Sequence, residues 1–348
     1  MRRDWDARAA VDADGYVYTR DRAADLAGFE ASGRANYDQL VRPYLPVLLG
    51  GRPARACRAL EIGCGSGRMT RCFAEDFAEV HAVDVSPAML ARARERLAGV
   101  ENAALHLGSG YDLADFADAS FDFVFSYIVF QHIPVRAVIE GYVREAARVL
   151  RPGGAFKFQV NGDQSPAYRE HPRDTWLGET FSFGEACAML DAAGLALVMA
   201  EGASTQYFVL TARRGPVDEA VPRGYILPGE PWAAGQLLEG WHAPVDGSWR
   251  PVDPASLALV RSPAANGGRF FLALYFWPEE PVPEHVIAVT IGGRAAGRTA
   301  VHGPGDHYIE LAAPLTAEPA VEVRIEIAPP CAPRFRPAVR CLGLYLPA

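Results

Sequence analysis

The stretch Leu60-Glu61-Ile62-Gly63-Cys64-Gly65-Ser66-Gly67-Arg68-Met69-Thr70, followed by Val80-His81-Ala82-Val83-Asp84-Val85-Ser86, limits what this chain can fold into more than any other segment. It reads as a buried strand, a glycine turn, a helix start and a second strand that ends in an acid, which is the layout of a nucleoside-cofactor site. Glycines suit such a turn because the backbone must bend sharply and approach a ligand with no Cβ in the way. Asp84 then stands where a carboxylate accepts both hydroxyls of a ribose.

The glycine spacing separates the nucleosides. A dinucleotide fingerprint requires G-x-G-x-x-G, whereas Gly63, Gly65 and Gly67 are spaced G-x-G-x-G and the position three after Gly65 is Arg68. A Walker loop requires Gly-Lys-Ser/Thr, and the chain's single lysine is Lys157. Glu61, two residues before the first glycine, would repel a pyrophosphate and suits a ligand with a positive amino-acid end.

These residues resemble the first motif, E/D-x-G-x-G-x-G, of the class I S-adenosylmethionine-dependent methyltransferases. The resemblance covers about residues 55–213 and includes the turn Arg151-Pro152-Gly153-Gly154. It implies S-adenosylmethionine as cofactor, with Glu61 and the backbone from Gly63 through Cys64 and Gly65 to Gly67 at the methionine end. Asp84 is then expected on the ribose, Val85 and Met89 beside the adenine, and Tyr127 facing the cofactor from the end of the fourth strand. After the third strand the family usually has Gly-Asp, whereas this chain reads Gly108-Ser109-Gly110-Tyr111-Asp112. Ser109 therefore occupies the acid's place, at a cost of about 1 kcal/mol for that contact. Asp112 is either the base-recognising acid instead or a loop charge.

At 348 residues the chain suits two domains, and with 50% hydrophobic and 22% charged residues it can build a sizeable core. A net charge of −8 argues against nucleic acid or an anionic membrane surface as partner. Cys57, Cys64, Cys72, Cys187, Cys331 and Cys341 form no C-x-x-C pair, so reduced thiols are expected rather than a zinc site or a disulfide framework. The N-terminus lacks an apolar signal core and no run approaches a membrane span, which gives a cytoplasmic expectation.

The first half alternates strands and helices. Strands are expected at Arg58–Ile62, Glu79–Asp84, Ala103–Leu107, Phe121–Tyr127, Gly154–Val160, Leu195–Glu201 and Thr205–Arg213. Helices are expected at Ala88–Leu97 behind the Ser86-Pro87 cap, at Val138–Leu150, and at Ala186–Ala193 behind the capping box Ser182-x-x-Glu185. Crossover helices require a largely parallel, doubly wound sheet, here a seven-stranded Rossmann-like methyltransferase sheet.

Beyond about residue 215 the composition changes: 18 of the 27 prolines lie at or after Pro222, with Trp232, Trp241, Trp249 and Trp277. Proline excludes helix interiors, so strands are expected at Phe270–Trp277, Val286–Ile291 and Val321–Ile327, with turns at Asn266-Gly267-Gly268 and Gly292-Gly293. The organisation is thus an N-terminal helical lid or extension over 1–54, a cofactor-binding domain over 55–214, and a second all-β domain, a sandwich or jelly-roll, over 223–348.

An N-P-P-Y element is absent after the fourth strand, where Ser126-Tyr127-Ile128-Val129 stands, and no set of acids for a catechol-type metal is visible. His132, in Gln131-His132-Ile133-Pro134, is the candidate general base, since an ordinary imidazole pKa suits proton removal near neutrality. The alternative is a structural histidine. The loop from Asn161 to Trp176 offers Asp163, Tyr168, His171, Arg173, Asp174 and Trp176, and the last strand offers Gln206 and Tyr207. Aromatic residues from Trp5 to Tyr16-Val17-Tyr18 form a lid or pack on the sheet edge.

In the second domain, Glu239-Gly240-Trp241-His242, Trp249-Arg250 and Arg340–Leu344 loosely resemble β-sandwich modules on bacterial enzymes of surface-glycan assembly. The tryptophans either stack on sugars or fill the core. The expectation is therefore metal-independent O-methylation of a sugar or glycoconjugate hydroxyl. The alternatives are a small-molecule O- or N-methyltransferase whose sandwich dimerises or shapes the acceptor cleft, and a cofactor-binding scaffold without catalysis.

Overall fold

The computed structural model describes residues 1–17, 26–165, 168, 171–201, 205–215, 225–226, 236–242, 250–261, 268–277, 284–313, 320–331 and 336–345. The chain divides into two compact units, Met1–Arg42 with Ala54–Val217, and Pro43–Pro53 with Asp218–Ala348.

The first unit is built on a seven-stranded sheet. Its strands are β1 (Arg58–Ile62), β2 (Glu79–Asp84), β3 (Ala103–Leu107), β4 (Phe121–Ser126), β5 (Leu150–Val160), β6 (Leu195–Glu201) and β7 (Phe208–Arg214), in the order β3-β2-β1-β4-β5-β7-β6. β1 to β5 run parallel, and β7 enters antiparallel between β5 and β6. All six residues of β4 are buried, as a strand covered on both faces requires.

The described helices of this unit are α1 (Arg2–Val17), α2 (Leu26–Leu40), α3 (Thr70–Asp76), α4 (Pro87–Arg96), α5 (Arg136–Val149) and α6 (Phe183–Ala192). Helix α5 buries Ile139, Tyr142, Val143, Ala146 and Ala147 at helical spacing, and they pack with Leu60, Val124, Phe156 and Phe158 of the sheet. Ser86 caps α4, its hydroxyl accepting the Met89 amide at 3.1 Å with Pro87 in the first turn, and the capping box of Ser182 and Glu185 opens α6.

Two strand starts in this unit differ from expectation by more than one residue. Arg151-Pro152-Gly153-Gly154 is not a turn ahead of the fifth strand but a bulge inside it. Pairing with β4 jumps from Phe121↔Leu150 to Phe123↔Ala155, with Gly153 at φ +79°. A bulge takes up the proline and glycines as unpaired residues, and the pairing resumes beyond it at a shifted register. β7 starts at Phe208 rather than at Thr205.

The second unit is all antiparallel, with β8 (Tyr225–Ile226), β9 (Leu237–Trp241), β10 (Arg250–Arg261), β11 (Gly268–Phe276), β12 (Glu284–Ile291), β13 (Arg294–His302), β14 (Gly305–Ala313), β15 (Ala320–Ala328) and β16 (Ala338–Tyr345). The order is β13-β12-β15-β10-β16-β11-β14, and the end strands β13 and β14 touch, so the sheet is nearly closed into a barrel. Long β10 makes this shape, pairing through Arg250 and Pro251 with β16 and through residues 255–261 with β15. In β15, Val321, Val323, Ile325 and Ile327 are buried while Glu322 and Glu326 are exposed, the alternation of a half-buried strand. Gly292 and Gly293, at φ +55° and +75°, turn β12 into β13. Asn266, Gly267, Trp232, Trp249, Tyr18 and the Pro216–Arg223 stretch lie outside the described residues.

Candidate functional site

The strand order reverses between β1 and β4, and a doubly wound sheet opens a crevice at the carboxyl ends of its strands at that point. A cavity of about 890 Å³, its open mouth included, lies there.

Its floor is the glycine turn. The Gly63 amide donates to the Val83 carbonyl at 2.7 Å. Gly63 has φ +75°, and a Cβ on it would lie 2.3 Å from the Val129 side chain, so only glycine allows both this conformation and the close approach of the loop after β4. The amides of Gly65 and Ser86 each donate, at 2.8 Å, to a different oxygen of Asp84. Burial raises the pKa of Asp84 while those amides hold it down. A carboxylate has about four acceptor positions, so each oxygen keeps capacity for a hydroxyl of a bound ligand.

Gly63, Gly65, Asp84, Val85, Met89 and Gly110 line this cavity, and Tyr127 and His132 continue its wall. Four other residues expected at the cofactor do not line it. Glu61 is buried beneath the turn and accepts the Thr70 hydroxyl at 2.6 Å; burial pushes its carboxyl up to about 7, with Thr70 and Arg68 pulling the other way. Cys64 is buried with Ala82 and Leu90. Gly67 lies against Ala93 and Leu97, where the missing Cβ lets α4 come close. Ser109 is exposed, and its hydroxyl accepts the Tyr111 and Asp112 amides at 3.2 and 3.1 Å while donating to Asp112 Oδ1 at 2.7 Å. It therefore closes its own turn, and Gly108 and Gly110 face the cavity instead.

Helix α1 lies along the cavity and is tied to four separate segments. Arg2 donates to the Val85 and Gly108 carbonyls, both at 3.1 Å. Asp6 accepts the Ser86 hydroxyl at 2.5 Å. Asp14 accepts the Ser66 hydroxyl at 2.8 Å and pairs with Arg96 at 2.9 Å. Arg8 donates to the carbonyl and the hydroxyl of Thr175, both at 3.0 Å. The helix breaks at Asp12 (φ −164°, ψ 89°), whose carboxylate accepts the Gly15 amide at 2.9 Å, and the second segment brings Tyr16 and Val17 to the cavity.

His132 is buried in the cavity wall, edge-on to Trp5 at 5.3 Å and tilted on Trp176 at 5.5 Å. A chain of hydrogen bonds fixes its tautomer. The Ile128 amide is a donor, so the Gln159 atom that receives it at 2.9 Å is the side-chain oxygen. Gln159 Nε2 then donates to Gln131 Oε1 at 2.8 Å, which leaves Gln131 Nε2 to donate to His132 Nε2 at 3.1 Å. The proton on the ring sits on Nδ1 and goes to the Trp176 carbonyl at 2.9 Å. Burial and the nearby Arg8 push His132 down to about 4, so it is neutral near pH 7 and does not have the ordinary imidazole pKa on which a role as base was argued.

The same network holds Ile128 at φ +56°, a backbone state that a β-branched residue adopts at a cost of about 1–3 kcal/mol. Ile128 lines the cavity, so the strained turn shapes the wall.

From the loop before α6, Trp176 reaches His132, while Asp174 accepts the Trp176 and Leu177 amides, both at 2.7 Å. Arg173 donates to the Tyr168 carbonyl at 2.7 Å, and Asp163 accepts the Ser165 amide at 2.7 Å. His171 is exposed, as is Tyr207. Gln206 joins the glutamine chain, its carbonyl accepting Gln159 Nε2 at 2.6 Å.

Sequence reasoning gave no role to Gln131, Gln159, Ile128, Arg8 or Arg68. Gln159 had a signal: it is a polar residue in the buried run Phe156–Val160. Arg68 lines the cavity and donates to Ser32 Oγ at 3.0 Å and Asn36 Oδ1 at 2.7 Å. No comparable pattern marked Arg8.

Residues 60–158, from within β1 to within β5, match the family model described as a methyltransferase domain. A malonyl-[acyl-carrier protein] O-methyltransferase from Enterobacter lignolyticus is 32% identical over 157 residues, covering 43% of this chain and 59% of that protein. A demethylmenaquinone methyltransferase from Tropheryma whipplei is 39% identical over 95 residues, covering 27% and 38%. A trans-aconitate 2-methyltransferase from Methylobacterium nodulans is 30% identical over 139 residues, covering 38% and 49%. The chain thus spans between 38% and 59% of the length of these relatives. Among solved structures, a methyltransferase from Aquifex aeolicus shares 17% identity over 53% of this chain and 98% of that one, with a TM-score of 0.40.

Proposed function

We propose that this chain, whose first unit carries a class I S-adenosylmethionine-dependent methyltransferase domain and whose second is all β, transfers the cofactor's methyl group to a small molecule. The observation that carries this reading is the arrangement of Asp84. Its two oxygens hold the glycine turn and the start of α4, and it lines a cavity walled by Tyr127, His132 and the lid residues Trp5 and Tyr16. In this reading Asp84 takes the ribose hydroxyls, and Val85, Met89, Gly108 and Gly110 enclose the adenine. Gly63 and Gly65 of the glycine turn face the methionine end. Arg68 lines the cavity next to that end, and Glu61 is buried beneath the turn.

Transfer from a sulfonium needs alignment above all, since the donor is already activated by its charge. The aromatic lid and the buried wall at His132 suit that task by excluding water and leaving the acceptor one approach. Curated relatives act, by their names, on malonyl-[acyl-carrier protein], a quinone precursor and trans-aconitate, which supports a small-molecule or carrier-bound acceptor. The cytoplasmic location belongs to the same proposal and is supported by Cys57, Cys64, Cys72, Cys187 and Cys331 as free thiols.

The glycan acceptor expected from the second unit has little to support it. Trp241 and Trp277 are only half exposed, and their indole N–H groups donate to the Leu257 and Arg336 carbonyls at 2.8 and 2.9 Å, as side chains that fill a fold do. Calorimetric titration with S-adenosylmethionine, followed by transfer of a labelled methyl group to a fractionated metabolite extract, tests the proposal. Binding with label in a small-molecule fraction is expected. Absence of binding overturns it, and binding without transfer to any fraction returns the scaffold reading.

A further inference from the structure

The inference deepens the methyl-transfer reading, rests on it, and concerns the cofactor's base. The exocyclic amine of an adenine gives up water when the base is enclosed, so the enclosing wall needs a polar atom to replace that water. The side chains of the loop after β3 do not supply one. Gly108 and Gly110 line the cavity, whereas Ser109 and Asp112 do not, and these two bond each other, Ser109 Oγ donating to Asp112 Oδ1 at 2.7 Å. The Gly108 carbonyl accepts Arg2 at 3.1 Å.

Helix α5 lies against this loop. Glu145 accepts the Leu113 amide at 3.1 Å, and a Cβ on Gly141 would stand 3.4 Å from the Tyr111 carbonyl oxygen. The next residue, Tyr142, is buried, stacks on Phe130 at 5.6 Å, and lines the cavity together with Val83, Gly108 and Gly110. Burial, followed by the charges of Asp84 and Asp112, raises its pKa, so the phenol is protonated at neutral pH and lies within the fields of both the proposed ribose acid and the loop.

The Tyr142 hydroxyl has no hydrogen-bond partner among the described residues, and it is not sealed from solvent. Other polar side chains of the same cavity are engaged: Asp84 by two amides, His132 at both nitrogens, and Arg68 by Ser32 and Asn36. A phenylalanine would fill the same space against Phe130, so packing does not account for the oxygen. A polar atom left without a partner in a buried wall marks the place where a ligand completes the bond.

We propose that Tyr142 reads the base of S-adenosylmethionine, its hydroxyl oxygen accepting a hydrogen from the exocyclic amine of adenine. The base is thus read from helix α5 rather than by a side chain of the loop after β3. A neutral phenol has two acceptor lone pairs for this bond.

The test is calorimetric binding, without turnover, of S-adenosylhomocysteine and of its analogue with hydrogen in place of the purine amine. The parent should bind the analogue about tenfold more weakly. Tyr142→Phe, which keeps a ring on Phe130, should bind S-adenosylhomocysteine about fivefold more weakly than the parent and prefer it over the analogue by no more than about twofold. A tyrosine with a structural role alone would weaken both ligands alike, and a preference unchanged in Tyr142→Phe overturns the proposal. A parent that binds the two ligands equally overturns it without any variant. In both cases the methyl-transfer reading stands, whereas a parent that does not bind S-adenosylhomocysteine overturns that reading and the proposal with it.

Discussion

The two ends of the cavity are built on different plans. At the proposed cofactor end, Gly63, Gly65, Asp84, Val85 and Ser86 come from two adjacent strand-to-helix turns, and backbone amides do most of the holding. At the proposed acceptor end, Trp5, Ile128 and His132 line the wall and Gln131, Gln159 and Trp176 back it, from four separate segments, and side chains do the holding. A site made of local turns is fixed once its strands pair. A site made of distant side chains depends on every segment arriving, and it is free to vary in chemistry while the cofactor end stays the same.

The largest test of this contrast is Asp84→Ala, which leaves the Gly65 and Ser86 amides without partners as well as removing the proposed ribose contact. Cofactor affinity should fall about a hundredfold by calorimetry. A loss below threefold would mean the cofactor end does not hang on this acid. Next is the pH dependence of stability. His132 has its folded pKa depressed to about 4 by burial, below the usual imidazole value of 6.5 in the unfolded chain. The stabilisation it contributes is therefore complete above about pH 6.5 and is lost as pH falls toward 4. Denaturant unfolding at pH 7 and pH 5 should differ by about 2 kcal/mol more in the parent than in His132→Asn. An identical difference in both proteins would place the proton-linked loss elsewhere.

A smaller effect should separate the two ends. Gln159→Leu frees the Ile128 amide and the Gln131 carbonyl, so turnover should drop about tenfold while cofactor Kd stays within about threefold. Parallel loss of both would show that the glutamine chain supports the whole unit rather than the acceptor end. The smallest change is expected for Ser109→Ala, less than about threefold in cofactor affinity, because its hydroxyl serves its own turn. A tenfold effect would restore Ser109 to the adenine contact that the sequence suggested.

How far the sequence reached follows the same division. The strand, glycine turn, strand and acid around Gly63 and Asp84 are legible because they interact over short separations and because backbone conformation restricts the residue types. The strict alternation of Val321, Val323, Ile325 and Ile327 was legible for a similar reason, since a half-buried strand writes its burial into every second residue. Cys64 and Gly67 show the limit of a motif: both belong to it, yet one faces the core and the other a helix, and spacing does not reveal which way each points.

By itself, then, the sequence determined the doubly wound first unit, the all-β second unit and the glycine turn and acid at which the cofactor is proposed to sit, all of which rest on local backbone preference and on hydrophobic periodicity. Only the tertiary structure decided what surrounds His132. Burial set its protonation, an amide at Ile128 set its tautomer through two glutamines, and an arginine more than a hundred residues away came to lie beside it. Side chains brought together by folding change one another's charge and hydrogen bonding, and that coupling exists only once the chain has folded.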